Sequence, residues 1–171
     1  MQENTRLALL GRDPQRFGGL VNTPIFRGST ILSSSMAEWE QRKADRAADV
    51  PGATTYGRFG TPTTHALEDA IAQLEGGHRA QLFPSGLAAI TTVLTGLLKQ
   101  GDHVLVTDSA YGPTRGFLSR VLARFGVEMT LYDPRIGAGI AALLRPNTRV
   151  VYVESPGSET FEIQDIPAIA E

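Results

Sequence analysis

The sequence after residue 61 alternates short apolar runs with segments of helical periodicity, and this alternation most constrains how the chain can fold. Strands are predicted at 79–83, 103–107, 127–132 and 149–153, and helices at 62–75, 85–99, 113–125 and 136–144, with a last helix beginning at Asp165. Such strand–helix repeats predict a mostly parallel α/β sheet with covering helices.

The first 61 residues have a different character. A short helix is predicted over Thr5–Leu10. Residues 17–32 are rich in β-formers but are interrupted by glycines and a proline, which favours an extended arm lying on another surface over a central strand. Ser35 is predicted to begin a helix that reaches about Ala48, and a loop rich in Pro, Gly and Thr follows over 49–61.

Three motifs follow predicted strands, at the edge of a parallel sheet where ligands bind. They are Ser85-Gly86-Leu87, Asp108 to Tyr111, and Glu154 to Ser158. The first motif opens a helix, whose unpaired N–H groups and dipole attract an anion such as phosphate; simple helix capping by Ser85 is the alternative. Tyr111 is suited to stacking on a planar ring or handling a proton, unless it only closes a turn. The third motif is either part of the same site or a strand-ending turn.

A second candidate set lies in the glycine-rich loop before residue 61. Tyr56 and Arg58 flank Gly57 there. A tyrosine hydroxyl and a guanidinium together suit a phosphate, because both donate hydrogen bonds and the guanidinium adds charge. The alternative for Arg58 is a solvated surface charge.

Composition excludes several classes of function. The net charge of −2 gives no electrostatic reason to expect nucleic acid or an anionic membrane as a partner. Cysteine is absent, so disulfides and thiolate metal sites are excluded, and a reducing compartment such as the cytoplasm is expected. The apolar run Leu7–Leu10 is too short for a signal peptide or a membrane span. The histidines, which lack metal-ligand spacing, are expected to be structural: they are His65, His78 and His103.

Together these residues resemble the Cys/Met-metabolism family of pyridoxal-phosphate (PLP) enzymes, in the same order over most of the chain. The segments that carry the resemblance are Tyr56-Gly57-Arg58, Gly60-Thr61-Pro62-Thr63, Leu74-Glu75-Gly76-Gly77, Phe83 to Ala89, Gly101 to Leu105, Ala110-Tyr111 and Val153 to Ser158. Residues 154–158 and the arm over 22–30 are most similar to cystathionine β-lyases. The resemblance implies the fold-type-I PLP-dependent transferase architecture. Residues 1–61 would be an arm and helix contributing to a neighbouring subunit's site, and 62–171 the first, incomplete part of the PLP-binding large domain.

The resemblance also implies where the cofactor binds. Ser85 and the backbone amides of Gly86 and Leu87 would bind the phosphate of PLP. The ring of Tyr111 would stack on the pyridine ring and take part in proton transfer. Ser158 would contact the ring hydroxyl of the cofactor or the carboxylate of the substrate.

Two further roles are implied across a subunit interface. Tyr56 and Arg58 would reach the phosphate bound by a neighbouring subunit, so the complete enzyme is expected to be a homo-oligomer, a dimer of dimers. The implied activity is that of a PLP-dependent carbon–sulfur lyase that converts cystathionine to homocysteine, pyruvate and ammonia in methionine metabolism. The alternatives are a γ-lyase or γ-synthase of the same family, a non-catalytic phosphate-binding subunit, and a truncated product without function.

The sequence departs from the family pattern in one respect. It contains only Lys43 and Lys99, and the family's Schiff-base lysine comes later in the chain than Glu171. The isolated chain is therefore expected to lack lyase activity. In the family's fold, moreover, segment 79–83 lies away from the other three strands, and 149–153 becomes an open edge. The isolated chain is expected to be molten, aggregated or stabilised only by a partner.

Overall fold

The computed structural model describes residues 3–171, which form two compact units. The first unit reaches to Leu82, and the second runs from Phe83 to Glu171. The predicted division at residue 61 concerns what each part contributes to a site, and it stays a prediction.

The first unit consists of helices and extended chain. Its helices are α1 (Glu3–Leu9), α2 (Met36–Ala47) and α3 (Pro62–Glu75), with a 3₁₀ turn over Gly57–Phe59. The arm at 17–32 forms no strand, as predicted, and its one β-bridge joins Thr30 to Tyr56.

Capping residues begin and end the helices of the first unit. The hydroxyl of Ser35 accepts a hydrogen bond from the Glu38 amide at 3.2 Å, so α2 begins where the sequence predicts. The amide of Thr61 donates to the Thr64 hydroxyl at 2.8 Å at the start of α3. Gly76 ends α3 in the left-handed conformation, with φ of +65°, which glycine adopts without strain.

The predicted strand at 79–83 is wrong. The structure has no strand there, and the backbone amide of Leu82 donates instead to the Glu68 carboxylate of α3 at 3.1 Å. A strand needs a neighbouring strand to accept its backbone hydrogen bonds, and the described part of the chain offers none to this segment. The β-forming sequence alone is therefore insufficient.

The second unit contains the sheet. Its elements are α4 (Gly86–Leu97), β1 (His103–Thr107), α5 (Gly112–Arg120), β2 (Glu128–Tyr132), β3 (Thr148–Tyr152) and α6 (Ile166–Ala170), with 3₁₀ segments at Leu122–Phe125 and Gly137–Leu143. The strands are parallel in the order β2-β1-β3. This confirms a parallel α/β sheet with covering helices. The predicted helix at 113–125 is α-helical only to Arg120 and is followed by a 3₁₀ segment over Leu122–Phe125. The predicted helix at 136–144 is a 3₁₀ helix over Gly137–Leu143, with no α-helix.

Helices and loops cover both faces of β1, whose five residues are all buried. On one face, Val104 and Val106 pack in a core with Leu94 of α4 and Leu118 of α5. On the other face, Leu105 packs with Tyr132 and Ile140. A central parallel strand buried on both sides reads as a continuous apolar run, which is why the sequence predicts it so clearly.

Candidate functional site

The N-terminus of α4 lies at the edge of the sheet where the strands end. Leu98 and Lys99 directly follow the C-terminal end of α4. They line an apolar groove with Leu122 and Val127, which lie before the N-terminal end of β2. The opposite end of α4 must then point toward the carboxyl ends of the strands. Tyr111 and residues 154–158 follow β1 and β3 at that edge, so all three motifs of the second unit share it.

The start of α4 combines an internal cap with open amides. The hydroxyl of Ser85 accepts a hydrogen bond from the Ala88 amide at 3.1 Å, so Ser85 does cap the helix. In the described part of the chain, the amides of Gly86 and Leu87 have no protein acceptor. Nothing lies within 4 Å of the point that a Cβ on Gly86 would occupy. Capping and anion binding are therefore compatible here, because the cap uses one amide and leaves two for a ligand.

The start of α5 already has an anionic acceptor from the protein. The backbone amide of Tyr111 donates to both carboxylate oxygens of Glu154, each at 3.1 Å. The hydroxyl of Tyr152 donates to Glu154 Oε2 at 3.2 Å. The side chain of Tyr111 is 44% exposed at this edge, so one of its surfaces is accessible to a ligand.

Burial and the neighbouring carboxylate keep Tyr152 in its donor form. Removing the phenol from water disfavours the phenolate and raises the pKa of Tyr152, and the negative charge of Glu154 raises it further. A phenol is protonated at neutral pH even without this shift, and the raised pKa further favours the form in which the Tyr152 hydroxyl donates to the carboxylate.

The loop that carries Ser158 is attached to the residues before Tyr111. The amide of Ser158 donates to the carbonyl oxygen of Ser109 at 2.8 Å. Gly157 lies so close that a Cβ there would stand 2.7 Å from Cβ of Ser109. Glu159 and Phe161 have φ of +67° and +61°, in the left-handed region that non-glycine residues rarely adopt. The structure thus brings Ser158 to the Tyr111 loop.

Tyr56 and Arg58 belong to the first unit, where backbone contacts fix their loop. The amide of Gly57 donates to the Ser29 carbonyl at 2.7 Å, and a Cβ on Gly57 would overlap the carbonyl oxygen of Gly28. The guanidinium of Arg58 lies 5.4 Å from the ring centroid of Tyr56. No carboxylate of the described residues forms an ion pair with it. Arg58 is exposed, so its guanidinium is accessible to a ligand or partner.

The buried histidine, His103, lies between two threonine hydroxyls of the sheet. The ring nitrogens of His103 lie 2.8 Å from the Thr148 hydroxyl and 2.9 Å from the Thr130 hydroxyl, so the side chain links β1 to both neighbouring strands. Its complete burial lowers the pKa of His103, and the charge of Arg145 lowers it further. No metal-binding group of His, Asp and Glu occurs among the described residues.

Sequence reasoning missed the role of two polar residues. The sequence indicates only that Glu154 belongs to a motif after a strand, whereas its carboxylate accepts a hydrogen bond from the Tyr111 amide of another segment. Gln164 is buried, and its Nε2 donates to the Glu154 carbonyl at 2.7 Å. The one available signal was the position of Glu154 directly after a strand, because the distance of 43 residues to Tyr111 hides the pairing.

The donor set fits the phosphate and ring of PLP. Two open amides at the start of a twelve-residue helix suit a phosphate, and the space beside Gly86 leaves room for its approach. An exposed tyrosine ring at the same sheet edge suits a planar ring. The only lysine of the second unit, Lys99, follows the end of α4 that is remote from this edge. The other lysine, Lys43, belongs to α2 of the first unit.

No helix among residues 3–171 is long and apolar enough to cross a membrane.

Comparison with known proteins identifies the family. The model of the family described as "Cys/Met metabolism PLP-dependent enzyme" matches residues 4–171. A protein of Rhizobium johnstonii, provisionally named a cystathionine β-lyase, is 49% identical over 98% of this chain and 40% of its own length. Cystathionine β-lyase MetC of Escherichia coli is 42% identical over 97% of this chain and 41% of its own length.

A solved structure agrees with these relatives. The crystal structure of cystathionine γ-lyase from Lactobacillus plantarum complexed with L-serine superposes with a TM-score of 0.83 at 32% identity, covering 99% of this chain and 41% of that chain. The chain thus spans about two fifths of the length of the curated relatives it matches. Since the family model covers almost every residue and the open amides, tyrosine ring and sheet edge agree with it, the chain belongs to the Cys/Met-metabolism family of enzymes, whose cofactor is pyridoxal phosphate.

Proposed function

We propose that this chain is the cofactor-phosphate-binding, N-terminal portion of a cystathionine β-lyase-like enzyme. The observation that supports this most strongly is the pair of unpartnered amides, Gly86 and Leu87, at a helix start that shares the sheet edge with Tyr111. The names of the relatives supply the reaction class: cleavage of a carbon–sulfur bond in cystathionine. We propose that the complete enzyme releases homocysteine, pyruvate and ammonia in methionine metabolism, in the cytoplasm.

The residues of the second unit would divide the binding between two ends of the cofactor. Gly86, Leu87 and the Ser85 hydroxyl would bind the phosphate, because helix N-termini favour anions. The Tyr111 ring would cover one face of the pyridine ring, exclude water from it and move a proton at its hydroxyl. Ser158 would bind the ring hydroxyl or the substrate carboxylate. When bound, PLP supplies the electron sink for the negative charge that develops at the substrate α-carbon.

Tyr56 and Arg58 would act on a second copy of the chain. Their loop belongs to a unit whose apolar arm is exposed, and the Arg58 charge has no ion-pair partner among residues 3–171. A tyrosine hydroxyl and a guanidinium would complete a neighbouring phosphate site. This arrangement supports a homo-oligomer, a dimer of dimers in the complete enzyme.

A γ-lyase or γ-synthase of the same family is the second candidate. The superposition on the L. plantarum γ-lyase structure supports it, because the fold of this portion is shared by that enzyme. The reaction products distinguish the candidates: β-elimination of cystathionine releases pyruvate, whereas γ-elimination releases a four-carbon keto acid and cysteine.

A fusion protein tests the proposed function. The 171 residues are joined to the remaining part of E. coli MetC at the position aligned with Glu171, and the keto acid released from cystathionine is identified by chromatography. We expect pyruvate. A folded, PLP-loaded fusion that releases no pyruvate would contradict the proposal, and the four-carbon acid would favour the second candidate.

Two matched variants of α4 test whether its N-terminus binds the cofactor. Gly86→Ala and Gly96→Ala both place a methyl group in open space on α4, but only the first stands beside the two open amides. We expect Gly86→Ala to lower cofactor retention and Gly96→Ala to leave it unchanged. The 171-residue chain alone should release no pyruvate and fix no cofactor at a defined lysine on borohydride treatment.

A further inference from the structure

We propose that Glu154 is a positioning residue, which holds the backbone of Tyr111 and thereby fixes the orientation of its ring at the carboxyl edge of the sheet. This inference rests on the proposed function in one respect, namely that the Tyr111 ring contacts the cofactor. It adds a residue whose carboxylate acts through Tyr111 and touches neither cofactor nor substrate.

The contact between the two residues is specific. Both carboxylate oxygens of Glu154 lie 3.1 Å from the Tyr111 amide nitrogen, although the two residues are 43 positions apart in sequence. Tyr111 is the residue immediately before α5, so the carboxylate also lies at the positive end of that helix dipole. A charge-assisted hydrogen bond here is stronger than one between neutral groups.

The carboxylate is itself held by the sheet. Tyr152, in the last position of β3, donates its hydroxyl to Glu154 Oε2 at 3.2 Å. The buried Gln164 donates to the Glu154 backbone carbonyl at 2.7 Å and accepts the Tyr132 hydroxyl at 3.1 Å. Glu154 therefore connects the start of α5 to β3 directly and to β2 through Gln164 and Tyr132.

Different groups hold the N-termini of α4 and α5, which both lie at this edge of the sheet. The start of α4 is held by its own Ser85 cap and keeps two amides open. The start of α5 depends on a carboxylate from another element. Removing the carboxylate should free the Tyr111 ring and leave the Gly86 and Leu87 amides unaffected. The expected signature is a loss at the ring end of the cofactor without a loss at the phosphate end.

The test uses NMR on the full chain, with Glu154→Gln, Glu154→Ala and the matched control Glu159→Gln, whose side chain is exposed on the neighbouring loop. Without ligand, the chemical shift of the Tyr111 amide proton should change in Glu154→Gln and change more in Glu154→Ala, because the hydrogen bond to the carboxylate is weakened or lost, and Glu159→Gln should leave it unchanged. With pyridoxal phosphate, the Tyr111 ring and the Gly86 and Leu87 amides should shift in the native chain.

The Glu154 variants should weaken binding at the ring end of the cofactor and leave binding at its phosphate end unchanged. In Glu154→Ala the Gly86 and Leu87 amides should still respond to inorganic phosphate with unchanged affinity. The Tyr111 ring should no longer respond to pyridoxal phosphate, whose affinity should fall about tenfold. Glu154→Gln should fall between the native chain and Glu154→Ala, because its amide oxygen still accepts one hydrogen bond, and it decides the question if Glu154→Ala does not fold.

Two results would overturn the inference: a Tyr111 amide proton with the same chemical shift in the native chain and the Glu154 variants, or a Tyr111 ring that responds to pyridoxal phosphate equally in the native chain and those variants. If pyridoxal phosphate shifts nothing in the native chain, the proposed function fails. The ligand-free comparison of the Tyr111 amide proton between the native chain and the Glu154 variants then still decides the Glu154 contact by itself.

Discussion

The two units of this chain differ in how far they bury their apolar residues. The second unit buries a continuous core on both faces of β1, including Val104, Leu105 and Leu118. In the described part of the first unit, Ala72 is the only buried apolar residue. Several large apolar side chains of that unit are exposed instead: Leu20, Val21, Ile25, Phe26, Leu32 and Met36. The second unit thus builds a core within itself, whereas the first presents an apolar arm of the kind that packs on another surface.

The largest expected difference between the units is in the cost of removing an apolar side chain. Leu118→Ala in the core should lower the local free energy of unfolding by about 2–5 kcal/mol, through lost burial and the cavity left behind. Ile25→Ala, at a residue that is 75% exposed, should change it by less than about 0.5 kcal/mol. Amide hydrogen exchange measures the effect of Leu118→Ala in β1 and its flanking helices, and that of Ile25→Ala in α2 and α3 of the first unit. Equal effects would mean that the arm is part of a core after all.

The next effect concerns the loop that carries Tyr56 and Arg58. Gly57→Ala places a Cβ onto the Gly28 carbonyl oxygen and should cost about 1–3 kcal/mol locally. Gly28→Ala is the matched control, because a Cβ there meets nothing within 4 Å. Proteolysis at the arm should accelerate for Gly57→Ala alone. Unchanged proteolysis would show that this backbone contact is dispensable.

The fold of the second unit follows largely from local patterns, whereas its site depends on distant pairs. The continuous apolar run of β1 and the Ser85 cap of α4 are both readable in the sequence and both occur. Segment 79–83 forms no strand, because a strand also needs a pairing partner and the local sequence does not show whether one is present. Glu154 and Tyr111 meet only through the sheet, so neither residue by itself predicts the contact.

The third prediction asks whether the first unit acts on another copy. When the chain is co-expressed with a full-length relative and mixed oligomers form, Arg58→Ala should weaken cofactor retention in the partner's site. A charge-assisted contact to phosphate is worth about 2 kcal/mol, or roughly thirtyfold in affinity. Arg27→Ala, also exposed and in the same unit, is the control. Equal retention in both variants would identify Arg58 as a surface charge only.

The smallest effect is a pH dependence confined to the second unit. The folded-state pKa of His103 lies below its usual value of 6.5, mainly because the ring is buried. The unfolded chain therefore binds the proton more readily, and the stability present above pH 6.5 should decrease as the pH falls below that value. An NMR titration should find that His103 protonates at a pH below 6.5, the usual value for a histidine side chain. A His103 titration midpoint at or above pH 6.5 would show that burial of His103 is not maintained in solution.

The central claim is that the start of α4 binds the cofactor phosphate. The most direct test records the amide shifts of Gly86 and Leu87 in the full chain as pyridoxal phosphate, inorganic phosphate or phosphate-free pyridoxal is added. We predict saturable shifts of both amides with the two phosphates, weakened in Gly86→Ala but not in Gly96→Ala, and none with pyridoxal. Saturable binding of pyridoxal phosphate that leaves both amides unshifted would contradict the claim.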